Sequence, residues 1–189
     1  MATCVVTLPA VSADLCDPKA HFGEIGTLLY TRYSVADQID DPTDGDEWGA
    51  RISNSTALPS VGTAAPVRYL YGKGELPLPE DSETEISLDR IVSDDPTHTL
   101  TFNVDDTGDT NAAALAALQN KNYQYAVWFI ADGQLYGGIR GFKASVRFKG
   151  RIIPGAKTEV QTIQVTARWK GVLTAPIAVP AELNALLYE

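Results

Sequence analysis

The sequence predicts a mainly β (α+β) fold: an antiparallel β-sandwich or barrel with one flanking α-helix, extended loops and terminal arms. Two segments in which polar and apolar residues alternate, within residues 143–149 and 159–169, and a nearly continuous apolar run at 123–131 support this class. The chain has 189 residues, of which 44% are hydrophobic and 21% charged, as in folded proteins. We therefore expect one domain over residues 1–189, with an N-terminal arm at about 1–20 and a C-terminal arm at about 171–189.

The first half of the chain contains strands separated by long polar loops. Segments rich in β-branched and aromatic residues, or with alternating polarity, predict the strands. They lie at residues 22–33, 48–52, 68–71, 85–92 and 97–104. The last two are expected to pair as a hairpin around residues 93–96. Residues 37–47 are dense in carboxylates and predict a surface loop, and Pro77 and Pro79 exclude their segment from the centre of a sheet.

The second half begins with the one helix that the sequence predicts in the body of the domain, over residues 111–120, where alanines are strong helix formers. The apolar run then predicts a strand buried on both faces, and Asp132-Gly133 predicts a tight turn to a return strand at 135–142. Glycines within that return strand favour bends or bulges. Residues 181–188 predict a short helix after an arm rich in Ala, Val and Pro.

Charge is divided unequally along the chain. Residues 1–110 carry 20 Asp and Glu against 6 Lys and Arg, whereas residues 111–189 carry 9 basic against 4 acidic residues. Alternation along residues 143–149 places Lys143, Arg147 and Lys149 on one strand face. Opposite charge on two parts of one domain favours head-to-tail contact between copies, although solvated acidic loops would explain the same pattern.

Residues that could support catalysis or metal binding do not form a recognisable motif. His21 and His98, the only histidines, have no zinc-ligand spacing, and neither does the pair Cys4 and Cys16. There is no nucleophile elbow and no phosphate-binding glycine loop. Carboxylates of Asp44, Asp46 and Glu47, or of Asp105, Asp106 and Asp109, could form an acid and base pair or a calcium site. They lie in solvated, Gly-containing loops and not in an apolar pocket, and neither cluster reproduces the calcium-loop motif, so solvated loops are the favoured interpretation. We therefore expect a protein that is not an enzyme and uses no cofactor and no metal.

Membrane insertion and secretion are also not predicted. No stretch approaches the roughly 20 apolar residues of a membrane helix. The mildly apolar segment at residues 4–13 is interrupted by Pro9, and no Lys or Arg precedes it, so we do not expect a signal peptide.

Three short segments resemble structural proteins of tailed phages that infect Bacteroidetes. They are Phe22-Gly23-Glu24-Ile25, Glu47-Trp48-x-x-Arg51-Ile52 and Asp132-Gly133-Gln134-Leu135-Tyr136-Gly137. The arm, the β-rich body, the Ala-rich helix, the Asp-Gly hairpin and the basic strand together look like a phage tail tube, or major tail, protein.

This resemblance implies a virion structural protein, made in the host cytoplasm, whose copies form rings stacked into a tube through which DNA passes without specific binding. Its partners would be copies of itself and other virion proteins, and long loops and arms would carry the stacking. Expected contacts between copies set five basic residues against four acidic ones. These are Arg140, Lys143, Arg147, Lys149 and Arg151 against Asp41, Asp44, Asp46 and Glu47.

Two alternatives remain open at this point. The first is another phage role, as a neck or connector ring, a capsid decoration protein or a fibre component. The second is a monomeric ligand-binding β-sandwich that would use exposed aromatic residues such as Tyr69, Tyr71 and Tyr136.

Overall fold

The computed structural model describes most of the chain. The described residues are 24–33, 38–52, 66–79, 83–87, 90–93, 95–104, 124–155 and 161–188. The expected N-terminal arm, the helix at 111–120, His21 and both cysteines lie outside them. The strands are β1 (Ile25–Arg32), β2 (Arg68–Glu75), β3 (Glu83–Ser87), β4 (Arg90–Ser93), β5 (Thr97–Val104), β6 (Tyr125–Ala131), β7 (Gln134–Tyr136), β8 (Phe142–Ile152), β9 (Thr162–Lys170) and β10 (Ile177–Ala178). The helices are α1 (Gly45–Arg51) and α2 (Ala181–Tyr188).

Six of the strands form a closed antiparallel barrel. They follow the order β1-β2-β5-β9-β8-β6, and β6 pairs back with β1 to close the ring. Beyond β6 the sheet continues through β7 to β10, and β3 and β4 form a separate two-stranded sheet. The mainly β class is therefore confirmed, in the form of a barrel.

The barrel interior is filled by the apolar side of each alternating strand. Leu100, Phe102 and Val104 of β5 point inward with residues of β9 and β8, and Thr and Asn of β5 alternate with them. Aromatic rings stack across this core in the sequence His98, Trp169, Phe142, Phe129, Tyr136, with centroids 4.6 to 5.9 Å apart. The expected alternation is confirmed in 143–149 and in the part of 159–169 that belongs to β9; residues 159 and 160 lie outside the described residues.

A second apolar cluster lies outside the barrel, between β1, β6 and the two helices. Trp48 of α1 meets Trp128 of β6 edge to face, with ring centroids 5.6 Å apart at 86°. Leu183 and Leu187 of α2 complete the cluster. This layer explains the unbroken apolar run of β6, because one side of the strand faces the barrel core and the other faces the helices.

Two expectations about local structure are wrong. Residues 48–52 form the end of α1, not a strand, because Asp44 caps a helix there; only Ile52 makes an isolated bridge, to Val67. Residues 85–92 do not pair with 97–104: β3 and β4 pair with each other, while β5 lies between β2 and β9. Alternation of polar and apolar residues identifies a strand, but the strands that cover the apolar face of β5 lie far from it in the sequence.

The turn at Asp132-Gly133 joins β6 to β7, as expected, with both residues at positive φ. The return strand is much shorter than expected, because it ends at Tyr136. Gly137 and Gly141, at φ of 129° and 66°, then bring the backbone onto the ring of Trp128, where a Cβ would come within 2.4 and 2.9 Å of indole atoms. Closure of this turn over the indole ends the strand.

The C-terminal segment packs on its own chain. β10 pairs with β7, and α2 contacts α1. The hydroxyl of Tyr71 donates to the carbonyl of Leu187, and Thr27 and Tyr188 share a hydrogen bond of 2.6 Å. The short helix expected at 181–188 is confirmed.

Candidate functional site

The outer side of β5, β9 and β8 forms a surface that we call the cationic wall. Its outward positions alternate with the core residues, so their side chains share one side of the sheet. No Asp or Glu occurs anywhere in these three strands. The basic residues of the wall are Lys143, Arg147, Lys149, Arg168 and Lys170, all exposed.

A shallow groove of about 300 Å³ crosses the centre of the cationic wall. Strand register places Arg168 of β9 opposite Ser145 of β8 on one side and Thr99 of β5 on the other, while Arg147 lies opposite Thr166. The groove lining therefore combines guanidinium groups, hydroxyls and one ammonium. They are contributed by Thr99, Ser145, Arg147, Lys149, Thr166 and Arg168. Such a lining is chemically suited to carboxylate or other oxyanion groups.

Of the five predicted basic residues, three belong to the wall and two do not. Lys143, which also lies 5.0 Å from the ring centroid of Tyr33, joins Arg147 and Lys149 there. A bulge between Phe148 and Gly150 changes the alternation, so that Arg151 pairs with the inward-facing Ile163. Arg140 lies in the turn before β8, where its Nε donates to Oε1 of Gln38 at 2.9 Å.

Two basic residues of the wall, Arg168 and Lys170, were missing from the predicted contacts. Their signal was present in the sequence: both share the polar side of β9 with Thr162, Gln164 and Thr166. The sequence analysis did not predict that β9 pairs with β8. The basic residues of the two strands were therefore not assigned to one surface.

The four predicted acidic residues lie together in a compact segment, residues 40–47, which we call the acidic turn. Its backbone is held by its own carboxylates. Glu47 accepts hydrogen bonds from the backbone N–H groups of Asp40 and Asp41 at 2.8 and 3.0 Å. Asp44 accepts from the N–H of Asp46 at 2.9 Å and so caps α1. The expected loop is therefore a tight turn running into a helix.

Asp41 closes the tip of the acidic turn. Its carboxylate accepts hydrogen bonds from both the hydroxyl and the backbone N–H of Thr43, at 2.6 and 2.9 Å. These bonds favour the charged form and hold the pKa of Asp41 below its usual value.

Burial of neighbouring side chains fixes the acidic turn to the barrel. Trp48 is fully buried, and its indole N–H donates to the carbonyl of Pro42 at 3.1 Å. Ile39, also fully buried, donates its backbone N–H to the carbonyl of Ile139, and Arg51 donates to the carbonyl of Gln38 at 2.7 Å. The carboxylates are consequently held on the helical layer over β1 and β6.

The acidic turn lies on the side of the barrel opposite to the centre of the cationic wall, whereas Lys143, paired with Ala126 of β6, lies at the edge of the helical layer. In the closed order β1-β2-β5-β9-β8-β6, the strand β9 is three positions from β1 in either direction. The helical layer covers β1 and β6, and the wall is centred on β9. Each copy therefore presents surfaces of opposite charge in opposite directions.

Other candidate groups in the described part of the chain are less organised. His98 is 5% exposed and stacks on Trp169, and neither of its ring nitrogens has a hydrogen-bond partner. Of the three tyrosines considered for ligand binding, Tyr136 stacks on Phe129 within the core, and only Tyr71 is exposed. Among the described residues, no three His, Cys, Asp or Glu side chains are placed to hold a metal ion.

None of the described helices has the length and apolar character needed to cross a membrane. Comparison with models of known protein families, with curated proteins and with solved structures finds no match for this chain.

Proposed function

We propose that this chain is a non-enzymatic virion structural protein that assembles with copies of itself into rings, stacked as a phage tail tube that conducts DNA. One observation carries the proposal: the barrel bears an acidic turn on one side and a cationic wall centred on the opposite side. Contacts between two different surfaces of identical copies are head-to-tail, and they generate rings when the rotation closes.

The charge of the chain supports association through these surfaces. At a formal net charge of -9, two copies repel each other unless their surfaces are arranged with opposite charges in contact. The cationic wall has no carboxylates, so it can face the acidic turn of another copy. Surfaces of complementary potential steer two copies together and fix the register of their contact. The acidic excess elsewhere on the chain is compatible with a conduit to which DNA does not adhere.

The barrel itself suits a repeated building block. Closure through β1 and β6 pairs the edges that an open six-stranded sheet would leave exposed. Copies would then associate through side chains and loops, so that the geometry of the ring is set by a rigid body.

The experiment is gel filtration with light scattering over a wide concentration range, combined with negative-stain microscopy of the same fractions. Rings or tubes of uniform diameter are expected. A monomer at every concentration would contradict self-assembly and would favour a decoration protein that needs a partner surface, or a ligand-binding module.

A further inference from the structure

We infer that the groove of the cationic wall receives the acidic turn of a second copy of this chain. This inference rests on the proposed function, because it names the contact through which copies would associate. It also changes the expected contact set: Arg168 and Lys170 enter it, while Arg140 and Arg151 leave it.

The two surfaces match in charge. The acidic turn contains five carboxylates, and the cationic wall contains five basic side chains. Asp40, Asp41, Asp44 and Asp46 of the acidic turn are exposed, and the groove is a depression lined by basic and hydroxyl side chains, so the carboxylates are accessible to it. Hydroxyls of Thr99, Ser145 and Thr166 add donors that a carboxylate can use beside the guanidinium groups.

The cationic wall holds positive charges close together, and a bound anion would lower the repulsion between them. Arg147 and Arg168 are diagonal neighbours on paired strands, since Arg147 is opposite Thr166 and Arg168 is opposite Ser145. Diagonal positions are separated by about 7–8 Å, within reach of long side chains. Carboxylates inserted between these groups replace repulsion with charge-assisted hydrogen bonds.

Both surfaces are held in place before contact. The wall is carried by three paired strands, and the acidic turn is held by the hydrogen bonds of Glu47, Asp44 and Asp41. Asp40 and Asp46 are exposed beside them. Little conformational freedom would be lost on binding, which favours affinity from a modest contact area.

Reciprocal charge reversal tests the contact. One variant carries Arg147→Glu and Arg168→Glu in the wall; the other carries Asp40→Lys and Asp46→Lys in the acidic turn. Self-association of each variant alone, measured by sedimentation velocity, is expected to weaken at least tenfold. An equimolar mixture is expected to recover association, because each reversed surface then meets its complement on the other variant. The recovered assemblies would contain both variants in equal amounts.

The control for a change of charge is Lys73→Glu, which reverses an exposed charge outside both surfaces. This variant should associate as the wild type does. Circular dichroism of every variant verifies the fold, and wild-type protein in 1 M salt supplies a measurement that needs no substitution: screening should weaken association strongly.

The outcomes separate the inference from the proposed function. Wild-type assembly that is insensitive to salt and to the wall reversal would overturn the contact while leaving self-assembly in place. Failure of the mixture to recover association would also overturn the contact. A wild-type monomer at all concentrations would overturn both, and a monomer that binds inorganic polyphosphate through Arg147 and Arg168 would assign the groove to a phosphate ligand instead.

Discussion

Truncation of Trp48 should destabilise the helical layer that holds the acidic turn. Trp48 has no exposed surface, packs edge to face on Trp128 and donates to the carbonyl of Pro42. Burial of about 200 Å² of aromatic side chain at about 25 cal/mol/Å² corresponds to about 5 kcal/mol. Aromatic-to-alanine substitutions in cores cost about 3–5 kcal/mol. We expect Trp48→Ala to lower the free energy of unfolding by about 4 kcal/mol.

Urea denaturation followed by the fluorescence of the remaining tryptophans measures this loss. Trp48→Phe keeps most of the ring contact but removes the indole N–H, so it should cost about half as much. Val172→Ala is the matched control, because Val172 is 79% exposed and its truncation should change stability by less than about 0.5 kcal/mol. A loss below about 1 kcal/mol for Trp48→Ala would refute the packing of α1 on the barrel.

Three further comparisons of variants test local features of the structure. Gly141→Ala and Gly133→Ala meet the same backbone strain, at φ of 66° and 67°, which costs about 1–2 kcal/mol. Only a Cβ at 141 would also overlap an indole ring, so Gly141→Ala should lower the melting temperature much further, and equal shifts would contradict that overlap. Thr43→Val removes the hydroxyl that donates to Asp41 and keeps the backbone N–H, so it should raise the pKa of Asp41 part of the way towards its usual value, measured by NMR titration. Since the folded pKa is lowered, the stabilisation is present above the unfolded pKa and is lost as pH falls through the folded pKa; an unchanged pKa would exclude the hydroxyl hydrogen bond as the cause. His98→Phe should leave urea stability unchanged or raise it by up to about 2 kcal/mol, because it removes two unpaired buried nitrogens and keeps the ring stack, whereas a marked loss would reveal a hydrogen-bond partner.

Strand positions were largely predictable from the sequence, because burial on one side imposes a period of two. β5, β8 and β9 follow that rule, and the apolar run of β6 follows from cover on both sides. Strand partners were not predictable. Residues 85–92 and 97–104 have the spacing of a hairpin, but the partners of β5 are selected by the barrel core: β2 lies 26 to 32 residues away in sequence and β9 lies 59 to 73 residues away.

The helix α1 was missed because Trp48 and Ile52 suggested a strand. A signal for the helix was available: Asp44 followed by Glu47 three residues later has the pattern of a helix start. In the structure Asp44 does cap the helix, while Glu47 binds the preceding turn instead. This pattern predicts the start of a helix at residues 44–47, where a loop was expected.

Part of the candidate site was predictable and part was not. The basic residues on one side of β8 were predicted from the alternation of polar and apolar residues along that strand. Arg168 required knowledge that β9 pairs with β8, and the departure of Arg151 required the bulge after Phe148. The placement of the acidic turn opposite the centre of the wall depends on barrel closure between β1 and β6, which no local pattern encodes.

Contact between the acidic turn of one copy and the cationic wall of the next can be tested by zero-length carbodiimide crosslinking of a mixture of isotopically light and heavy protein. The reagent joins lysine ammonium groups to carboxylates that are in contact, and mass spectrometry distinguishes links between copies from links within one. We expect links between light and heavy chains that connect Lys143, Lys149 or Lys170 to the acidic turn. These links should be absent in 1 M salt. Links between copies that avoid these residues, or an absence of any link between copies, would contradict this contact.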